Sequence, residues 1–422
     1  MKIEPRITTL SNGLRVVTDY VSSVESVAVG VWINAGARNE TAEHNGAAHM
    51  VEHMLFKGTQ RRNAQEIAEV IENVGGNINA YTSREVTSYH IHLLKDDLPL
   101  ALDVLADITQ HSTMPEDEVE REREVILQEI GMCYDTPDDI IFDNYYEAAY
   151  PAQAFGAPIL GTNEIISQMS RKTLMGFVND NYTPQRMVIC ASGNFDHDVF
   201  VKDVEEKFNA LPKGQDASKI AANYNGGEYC QTRELEQSHI VLGFKGVSRT
   251  SNDFYTARIL ATLLGGGMSS RLFQEVREKR GLVYSIYSFH SAHSDDGQLL
   301  IYAGTGPDKL PELIPVICGE INKIGSTITE KELERAKAQL RSNTLMSRES
   351  MMSRADGNAK SLMLNGKIRS VDEIISNINA VDIASLGKVA HQIFNTTPTL
   401  SALGPLDKME NFDGIKKRLS GS

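Results

Sequence analysis

The chain has 422 residues, 41% of them hydrophobic and 23% charged, which is the composition of a globular protein with two or more domains. Its formal net charge of −14 disfavours binding to nucleic acid or to an anionic membrane and suits a neutral or basic peptide. The four cysteines are scattered, so we expect reduced thiols in a cytoplasmic protein. The sequence has no apolar run that could span a bilayer and no visible secretory signal.

The first half of the chain alternates predicted strands with predicted helices. Apolar residues alternate or run together at 27–33 and 89–94, which is typical of strands. Polar residues and glycines then mark the turns between elements. Helical spacing of apolar residues predicts helices over 45–57, 65–74, 97–111, 116–133, 164–181 and 198–210.

The first predicted helix contains His49-Met50-Val51-Glu52-His53, an H-x-x-E-H pentad in the order of the inverted zincin motif. Residues i and i+4 lie on one face of a helix, so His49 and His53 can bind one metal ion. The carboxylate of Glu52 borders that face, where it can take a proton from a water molecule. The alternative is a helix with two surface histidines. The apolar flanking residues favour a buried helix, in which these polar groups need partners.

Two histidines leave a catalytic zinc site one protein ligand short. The best candidates lie in the predicted helix 116–133, where Glu122 and Glu129 are seven residues apart and share a face. A carboxylate on this face, beside apolar residues, needs a cation. The other acids of the helix are typical of a solvated surface, and spacing alone does not choose between Glu122 and Glu129.

The second half of the chain repeats the pattern of the first. Residues 216–228 are polar and rich in glycine and asparagine, which indicates a linker. A strand-like run at 238–244 and a helix-like run at 253–264 follow it. The repeat predicts an α+β fold with two homologous domains, each a mainly antiparallel sheet flanked by helices.

We therefore predict a catalytic, zinc-binding peptidase domain over residues 1–215 and a second homologous domain over residues 229–422. The helix 253–264 stands where the first domain has its pentad, but it contains no histidine or acid at the corresponding positions. Only the first domain is then expected to hold the metal.

The chain resembles the pitrilysin family of zinc metallopeptidases, most closely the mitochondrial processing peptidase subfamily and its bacterial two-domain relatives. The resemblance is carried by the segments 46–59, 79–82 and 122–129, and it extends over nearly the whole chain. The third zinc ligand of that family is a glutamate about 76 residues beyond the pentad, and Glu129 lies 76 residues after His53.

The resemblance implies a set of roles for the residues already singled out. It implies one Zn²⁺ per chain, held by His49, His53 and Glu129. Glu52 would be the base, and Glu122 would be a further acid that orients the site.

The resemblance also implies where a peptide binds. A strand is expected to start at Asn79, after the glycines at 75–76, and in similar enzymes this edge strand, here with Asn79 and Ala80, receives the substrate backbone by β-addition. An edge strand suits this role because its N–H and C=O groups are free to pair with an extended peptide. An ordinary structural strand is the alternative interpretation of these residues.

A glycine-rich segment at 265–267 precedes the last two candidate residues. It lacks the G-K-[ST] ending of a phosphate-binding loop, so a nucleotide site is not predicted. In relatives an arginine and a tyrosine seven residues apart complete the active site, and Arg277 and Tyr284 have that spacing. Their implied roles are to hold a substrate carbonyl and to stabilise an oxyanion, acting on a neighbouring chain. The resemblance thus implies that the second domain forms the opposite wall of a reaction chamber.

The predicted function is that of a zinc metalloendopeptidase that hydrolyses peptides or unfolded, presequence-like segments inside a chamber. The expected partner is an identical chain or a paralogous subunit, giving a homodimer or heterodimer without nucleic acid or membrane. The expected location is cytoplasmic, or the mitochondrial matrix for a mature eukaryotic chain. The alternative is a non-catalytic or structural peptide-binding subunit, of the kind found as core proteins of a respiratory complex.

Overall fold

The computed structural model describes residues 4–211, 214 and 220–420. It divides into two compact units, and neither unit is a continuous stretch of chain. The first unit contains Met1–Met132, Ala157–Ile220 and Met346–Ser370, and the second contains Cys133–Gly156, Ala221–Leu345 and Val371–Ser422. Each unit has one sheet and its own buried apolar core.

Eleven strands are present in the described residues. They are β1 (Arg6–Thr9), β2 (Arg15–Tyr20), β3 (Ser26–Ile33), β4 (Asn77–Thr82), β5 (Thr87–Leu94), β6 (Met187–Gly193), β7 (Gly227–Thr232), β8 (Ser238–Lys245), β9 (Ser285–Ala292), β10 (Gly297–Thr305) and β11 (Thr399–Gly404). Strands β3, β5, β8 and β10 are the long central ones, and their apolar runs explain why both of their faces are largely buried.

Fifteen α-helices surround the two sheets in the described residues. They are α1 (Ala47–Met54), α2 (Ala64–Glu72), α3 (Leu98–His111), α4 (Glu116–Tyr134), α5 (Pro137–Ala149), α6 (Asn163–Ile166), α7 (Arg171–Asn181), α8 (His197–Lys207), α9 (Phe254–Gly265), α10 (Leu310–Thr327), α11 (Glu330–Met346), α12 (Met351–Asn365), α13 (Val371–Ala380), α14 (Ile383–Phe394) and α15 (Phe412–Leu419). Across the described residues, none of these helices is both long and apolar enough to cross a bilayer.

The sheet of the first unit has six strands in the order β1-β2-β6-β3-β5-β4. Only β2 and β6 run parallel, and the other neighbours are antiparallel. One face packs against helices that include α1 and α3, with Val29, Met50 and Leu105 in the same fully buried cluster. The strand order leaves β4 at the edge, beside the helix that carries the pentad.

The opposite face of this sheet is covered by α12, which comes from much later in the chain. Trp32 on β3 packs in one buried cluster with Ala355 and Ala359 of α12. Two polar contacts fix the helix there. Arg354 forms a bidentate pair with the fully buried Asp19 at 2.6 and 2.8 Å, and the indole N–H of Trp32 donates to Asp356 at 3.0 Å.

The sheet of the second unit has five strands in the order β7-β11-β8-β10-β9. It repeats the first sheet without a counterpart of β1, since β7 and β11 again form the parallel pair. Helix α5 covers one face, where Tyr145 packs with Val241 and Leu300. The predicted α+β class, with two sheets flanked by helices, is confirmed.

The boundaries of the compact units differ from the continuous ranges 1–215 and 229–422. Residues 133–156 belong to the second unit because α5 covers its sheet, and residues 346–370 belong to the first because α12 covers that sheet. Residues 216–219 of the predicted linker 216–228 lie outside the described residues. The last two residues of the predicted linker, 227 and 228, begin β7.

Two predicted elements also differ locally. The single helix expected over 164–181 is two helices, because Ser170 is extended and its hydroxyl accepts from the N–H of Thr173 to start α7. The strand expected to start at Asn79 begins earlier, at Asn77.

Candidate metal centre

Helix α1 carries the pentad and begins at a glycine for a steric reason. Gly46 has a φ of +93°, and a Cβ there would lie 2.6 Å from the Cδ1 atom of Ile166. Gly46 has no side chain to cap the helix, and the carboxylate of Glu40 takes that role by accepting from the N–H groups of Gly46 and Ala48. Buried Met50, Val51 and neighbouring apolar residues then orient the polar face.

The polar face of α1 meets α4 at three side chains. The Nε2 atoms of His49 and His53 lie 3.8 and 3.7 Å from the Oε2 atom of Glu129. The two imidazole rings are edge to face, with centroids 4.6 Å apart. The structure therefore brings together His49, His53 and Glu129, the three residues predicted as metal ligands.

These three groups fit a zinc ion. Zinc lies about 2.0–2.2 Å from nitrogen and oxygen ligands, and tetrahedral angles then separate the ligand atoms by roughly 3.3–3.6 Å. Here one ligand atom from each residue lies within 4.8 Å of the others. Separations of 3.7 and 3.8 Å are too long for hydrogen bonds, so the three groups face a common point without bonding each other. Among the described residues, this is the one such cluster of His, Cys, Asp and Glu.

Glu122 holds His53 in the orientation that a ligand needs. Its Oε2 atom lies 2.9 Å from Nδ1 of His53, and its Oε1 atom lies 2.6 Å from the amine of Lys57. With the proton on Nδ1, the Nε2 lone pair of His53 is free to point towards Glu129. Burial opposes ionisation of Glu122, but the hydrogen bonds from His53 and Lys57 lower its pKa below the ordinary value.

The two histidines differ in their affinity for protons. Burial, and then the neighbouring His53, lower the pKa of His49 to about 3, so His49 is neutral and ready to bind a metal. Burial also works against protonation of His53, but the carboxylates of Glu122, Glu129 and Glu52 outweigh it and raise the pKa. The two histidines of the ligand set therefore differ: His49 is a neutral imidazole, and His53 is an imidazole paired with acids.

Glu52 lies in a more buried environment than a surface carboxylate. Burial is the largest effect on its pKa and raises it, while a hydrogen bond from Thr82 of β4 opposes the rise. Its Oε2 atom is buried and has no hydrogen-bond partner among the described residues. A half-satisfied carboxylate with a raised pKa, next to a histidine cluster, is the arrangement expected of a proton acceptor.

The candidate peptide-binding residues lie at the free edge of the first sheet. β4 pairs with β5 on one side, and no described strand pairs with its other side. Asn79 is exposed, and its carboxamide oxygen accepts from the N–H of Ala80 at 2.8 Å. The open edge is compatible with addition of a peptide strand, which would replace this local contact.

Arg277 and Tyr284 both lie in the second unit. Arg277 is in a π-helical turn at Phe273–Glu278, and its guanidinium lies 4.9 Å from the ring centre of Phe273 and 5.6 Å from that of Tyr284. Tyr284 is 78% exposed, whereas most tyrosine side chains in folded proteins are at least partly buried. The two residues thus form one exposed cation–aromatic group.

Two contributors to this site were not predicted from the sequence. Lys57 follows His53 by four residues, so helical spacing could have indicated that it shares a face with that ligand. Glu40 lies six and eight residues before the N–H groups that it caps, outside the local pattern of a helix start. No sequence signal identifies such a distant cap.

Comparison with known proteins gives the family. Residues 15–163 match the family described as insulinase (peptidase family M16), and residues 168–340 match the family described as peptidase M16 inactive domain. The first match contains all the candidate metal residues. The second matches a region without a described metal cluster.

Relatives of the whole chain carry names that agree with a zinc site. The chain is 41% identical over 403 residues to the uncharacterized zinc protease YmxG of Bacillus subtilis, covering 95% of this chain and 98% of the relative. It is 39% identical over 411 residues to an uncharacterized zinc protease of Rickettsia felis, covering 96% and 99%. These names support zinc as the metal.

Solved structures share the fold. A protease from Helicobacter pylori superposes with a TM-score of 0.88 at 24% identity, covering 95% of this chain and 99% of that one. A chain of complex III2 from Candida albicans gives 0.87 at 21% identity, covering 98% and 99%. At these identities the likeness concerns the fold alone. The sequence matches decide the family, and the chain belongs to the insulinase (M16) family of peptidases, the pitrilysin family, in its bacterial two-domain form.

Proposed function

We propose that this protein is a zinc metalloendopeptidase that hydrolyses peptides or unfolded segments. The observation that carries the proposal is the convergence of His49, His53 and Glu129 with the buried carboxylate of Glu52 beside them. The names of the relatives, which are zinc proteases, support the same activity. We propose one zinc ion per chain, a count supported by the one such cluster among the described residues.

The residues of the site have distinct tasks in this proposal. A zinc ion bound there would supply Lewis-acid polarisation of the peptide carbonyl and of a water molecule. His49, His53 and Glu129 would hold the ion. Glu122, which is itself paired with Lys57, keeps His53 in place. Glu52 takes the proton of the attacking water and passes it to the leaving amine, a role helped by its raised pKa.

The peptide would lie along β4 as an added antiparallel or parallel strand. Asn79 and Ala80 would pair with its backbone, and Thr82 on the same strand already contacts Glu52. The strand that holds the substrate therefore reaches the proton acceptor directly. An extended peptide fits such an edge, so unfolded or presequence-like segments are the proposed substrates.

Completion of the site by a second chain is part of the proposal. Arg277 and Tyr284 are exposed or half-exposed and contact each other, which suits a group offered to another molecule. Arg277 would hold a substrate carbonyl, and the phenol of Tyr284 would donate a hydrogen bond to the developing oxyanion. The partner would be an identical chain or a paralogous subunit, and the second homologous domain would form the chamber wall.

A cytoplasmic location is proposed on the state of the cysteines. Cys133, Cys190, Cys230 and Cys318 are all free thiols. Two of them are buried, and free thiols are ordinary in a reducing compartment.

A non-catalytic subunit is the second candidate, favoured by one observation. Similar folds occur in a chain of complex III2 from Candida albicans and in a peptidase M16 inactive domain from Pseudomonas fluorescens. The intact set of ligands and base in this chain supports the enzyme instead. A subunit without catalysis has no need for a buried carboxylate at position 52.

The Glu52→Gln variant tests the proposal. The wild-type protein loaded with zinc should cleave an unstructured peptide library, and Glu52→Gln should lose about three orders of magnitude or more in kcat while keeping its zinc. Peptide cleavage followed by mass spectrometry and zinc content by atomic emission are the two measurements. If the zinc-loaded wild type cleaves no peptide, either alone or with a paralogous subunit, the peptidase proposal is wrong and the non-catalytic subunit is the remaining candidate.

A further inference from the structure

Residues 36–40 lie between β3 and α1 and contact two elements of the proposed active site. On one side they meet the turn that joins β4 to β5. On the other side they meet the start of α1. The 3₁₀ turn Ala37–Asn39 holds the segment in a compact form, closed by the N–H of Asn39 donating to Gly36 O at 2.9 Å. A short, rigid segment with contacts at both ends can fix the distance between the β4–β5 turn and the start of α1.

The contacts with the β4–β5 turn are close and made by the backbone. The N–H of Ala37 donates to Ser83 O at 3.2 Å, and the N–H of Arg38 donates to Arg84 O at 2.9 Å. A Cβ on Gly36 would lie 2.1 Å from Ser83 O, so only glycine permits this approach. The turn itself is tight, with Ser83 and Val86 bonded to each other in both directions. Movement of residues 36–38 therefore moves the end of β4.

A buried ion pair strengthens the same contact. Nη1 of Arg38 lies 2.6 Å from Oε1 of Glu85, and the two side chains are only 4% and 6% exposed. The Nη2 atom of Arg38 donates to the carbonyl of Ile220 at 2.7 Å. A charged pair in this environment is held in one geometry, because separating it would leave two uncompensated charges away from water.

The contacts with α1 are made by Glu40, two residues later. Its Oε2 atom accepts from the N–H of Gly46 at 2.9 Å and from the side chain of Asn45 at 3.0 Å. Its Oε1 atom accepts from the N–H of Ala48 at 2.7 Å. Ala48 directly precedes the ligand His49, so the carboxylate fixes the first turn of the metal-binding helix.

We propose that Arg38 and Glu40 are positioning residues that together set the spacing between the peptide-holding strand β4 and the metal-holding helix α1. Neither side chain is a metal ligand in the cluster of His49, His53 and Glu129. Arg38 acts on the strand through Glu85, and Glu40 acts on the helix. The inference rests on the proposed function, since it assigns the strand to the peptide.

The proposed roles of Glu40 and of the Arg38–Glu85 pair predict different defects, one in zinc binding and one in peptide binding. Glu40→Ala should weaken zinc binding by about tenfold, because the first turn of α1 loses two acceptors and His49 moves with it. Glu85→Gln should raise KM for a cleaved peptide by about tenfold, with zinc affinity within twofold of wild type, because only the end of β4 is released. Zinc affinity comes from competition with a chromophoric chelator, and KM and kcat come from a fluorogenic form of a peptide that the wild type cleaves.

Asp19→Asn is the matched control. Asp19 is a fully buried carboxylate of the same unit, paired with Arg354, and it contacts neither the β4–β5 turn nor α1. It should lower the melting temperature and leave zinc affinity and KM unchanged, because the hydrogen bonds from Trp32 and Tyr81 to Asp356, which link α12 to β3 and β4, remain. If Glu40→Ala does not fold, Glu40→Gln replaces it, because glutamine retains one acceptor. If Glu85→Gln does not fold, Arg38→Lys replaces it, because lysine retains the charge. Each replacement should give a smaller defect of the same kind.

The outcomes also separate this inference from the proposed function. If the two variants behave like Asp19→Asn, or if each disturbs zinc and peptide equally, the spacing role is wrong even though the wild type is an active peptidase. If the wild type cleaves no peptide, the proposed function fails, and the zinc affinity of Glu40→Ala still decides the helix half of the inference.

Discussion

The contact between Glu122 and His53 gives the sharpest prediction for a single residue. Glu122→Gln keeps the size of the side chain but removes the charge that holds both His53 and Lys57. We expect zinc affinity to fall by about 10–100-fold, because the free imidazole loses its orientation and basicity. Chelator competition measures this.

Glu124→Gln is the control for that substitution. Glu124 lies two residues further along α4 and is exposed, with no contact to the metal residues. Its replacement should leave zinc affinity within twofold of wild type. Equal losses in both variants would mean that the charge of α4 as a whole, and not the bond to His53, supports the metal.

Burial of Glu40 predicts a pH dependence of stability. Burial, the largest effect, raises its pKa from 4.5 to about 7, although the N–H groups of Ala48 and Gly46 oppose the rise. Between these pH values the folded protein holds a proton that the unfolded chain has lost. The free energy of unfolding therefore decreases as pH rises through this window, by at most about 3 kcal/mol.

Comparison with Glu40→Gln isolates this effect, since glutamine does not titrate. Urea unfolding of both proteins at pH 5 and pH 8 should show wild type losing stability relative to the variant at the higher pH. A difference between the two proteins that is the same at pH 5 and pH 8 would contradict the raised pKa.

At the residue scale, the sequence pattern predicts those residues whose spacing along a helix places them close together. His49, Glu52 and His53 share a helical turn, so a pattern predicts that they meet. Glu129 could not be chosen by spacing, because a helix face is visible in a sequence but its packing partner is not. The resemblance to a family supplied it. Glu40 was missed because its contacts depend on how a loop folds back.

At the scale of elements, α12 is held on the first sheet by the buried carboxylate of Asp19 and by the partly exposed carboxylate of Asp356, which also reaches β4. Asp356 accepts hydrogen bonds from Trp32 on β3 and Tyr81 on β4. Tyr81 is next to Ala80, so Asp356 links α12 to the candidate peptide strand without involving Asp19. Asp19, on β2, anchors the N-terminal part of the helix through Arg354.

Loss of the Asp19–Arg354 pair should be severe. Arg354→Met leaves the fully buried Asp19 with Asn358 at 3.0 Å and the more distant Arg348 at 3.7 Å. We expect a loss of about 3 kcal/mol in the free energy of unfolding, measured by urea denaturation. Arg6→Met, which removes an exposed pair with Asp198, should cost less than about 1 kcal/mol.

Most helices of the first half could be predicted from periodicity, but the assignment of elements to units could not. The helices at 97–111 and 116–133 and the strands at 27–33 and 89–94 agree with the structure to within a few residues. Helix α12 has a helical pattern like any other. Its sequence does not state which of two similar sheets its apolar face will cover, because both offer an apolar surface.

At the scale of the whole molecule, the discontinuous units predict how fragments behave. A fragment of residues 1–220 lacks α12 and would expose the apolar face around Trp32. Trp32 is the chain's only tryptophan, so its fluorescence reports this face alone. We expect red-shifted emission and aggregation of the fragment. A fusion that appends residues 346–370 should restore the emission of the full-length protein.

A fusion carrying Arg354→Ala and Asp356→Ala is the control, since it removes both polar anchors of α12 and keeps its apolar residues. It should restore the emission only in part. If residues 1–220 alone give the full-length spectrum in a monomeric state, the helix is not needed to complete the first unit.

The position of α12 in the chain also matters during synthesis. The ribosome must add roughly 150 more residues after position 220 before α12 exists, which takes about 8–30 s at 5–20 residues per second. For that time the back of the first sheet, with Trp32 at its centre, has no cover. We therefore expect the nascent chain to be a client for chaperones, and the speed of translation through the second half to affect the yield of folded protein.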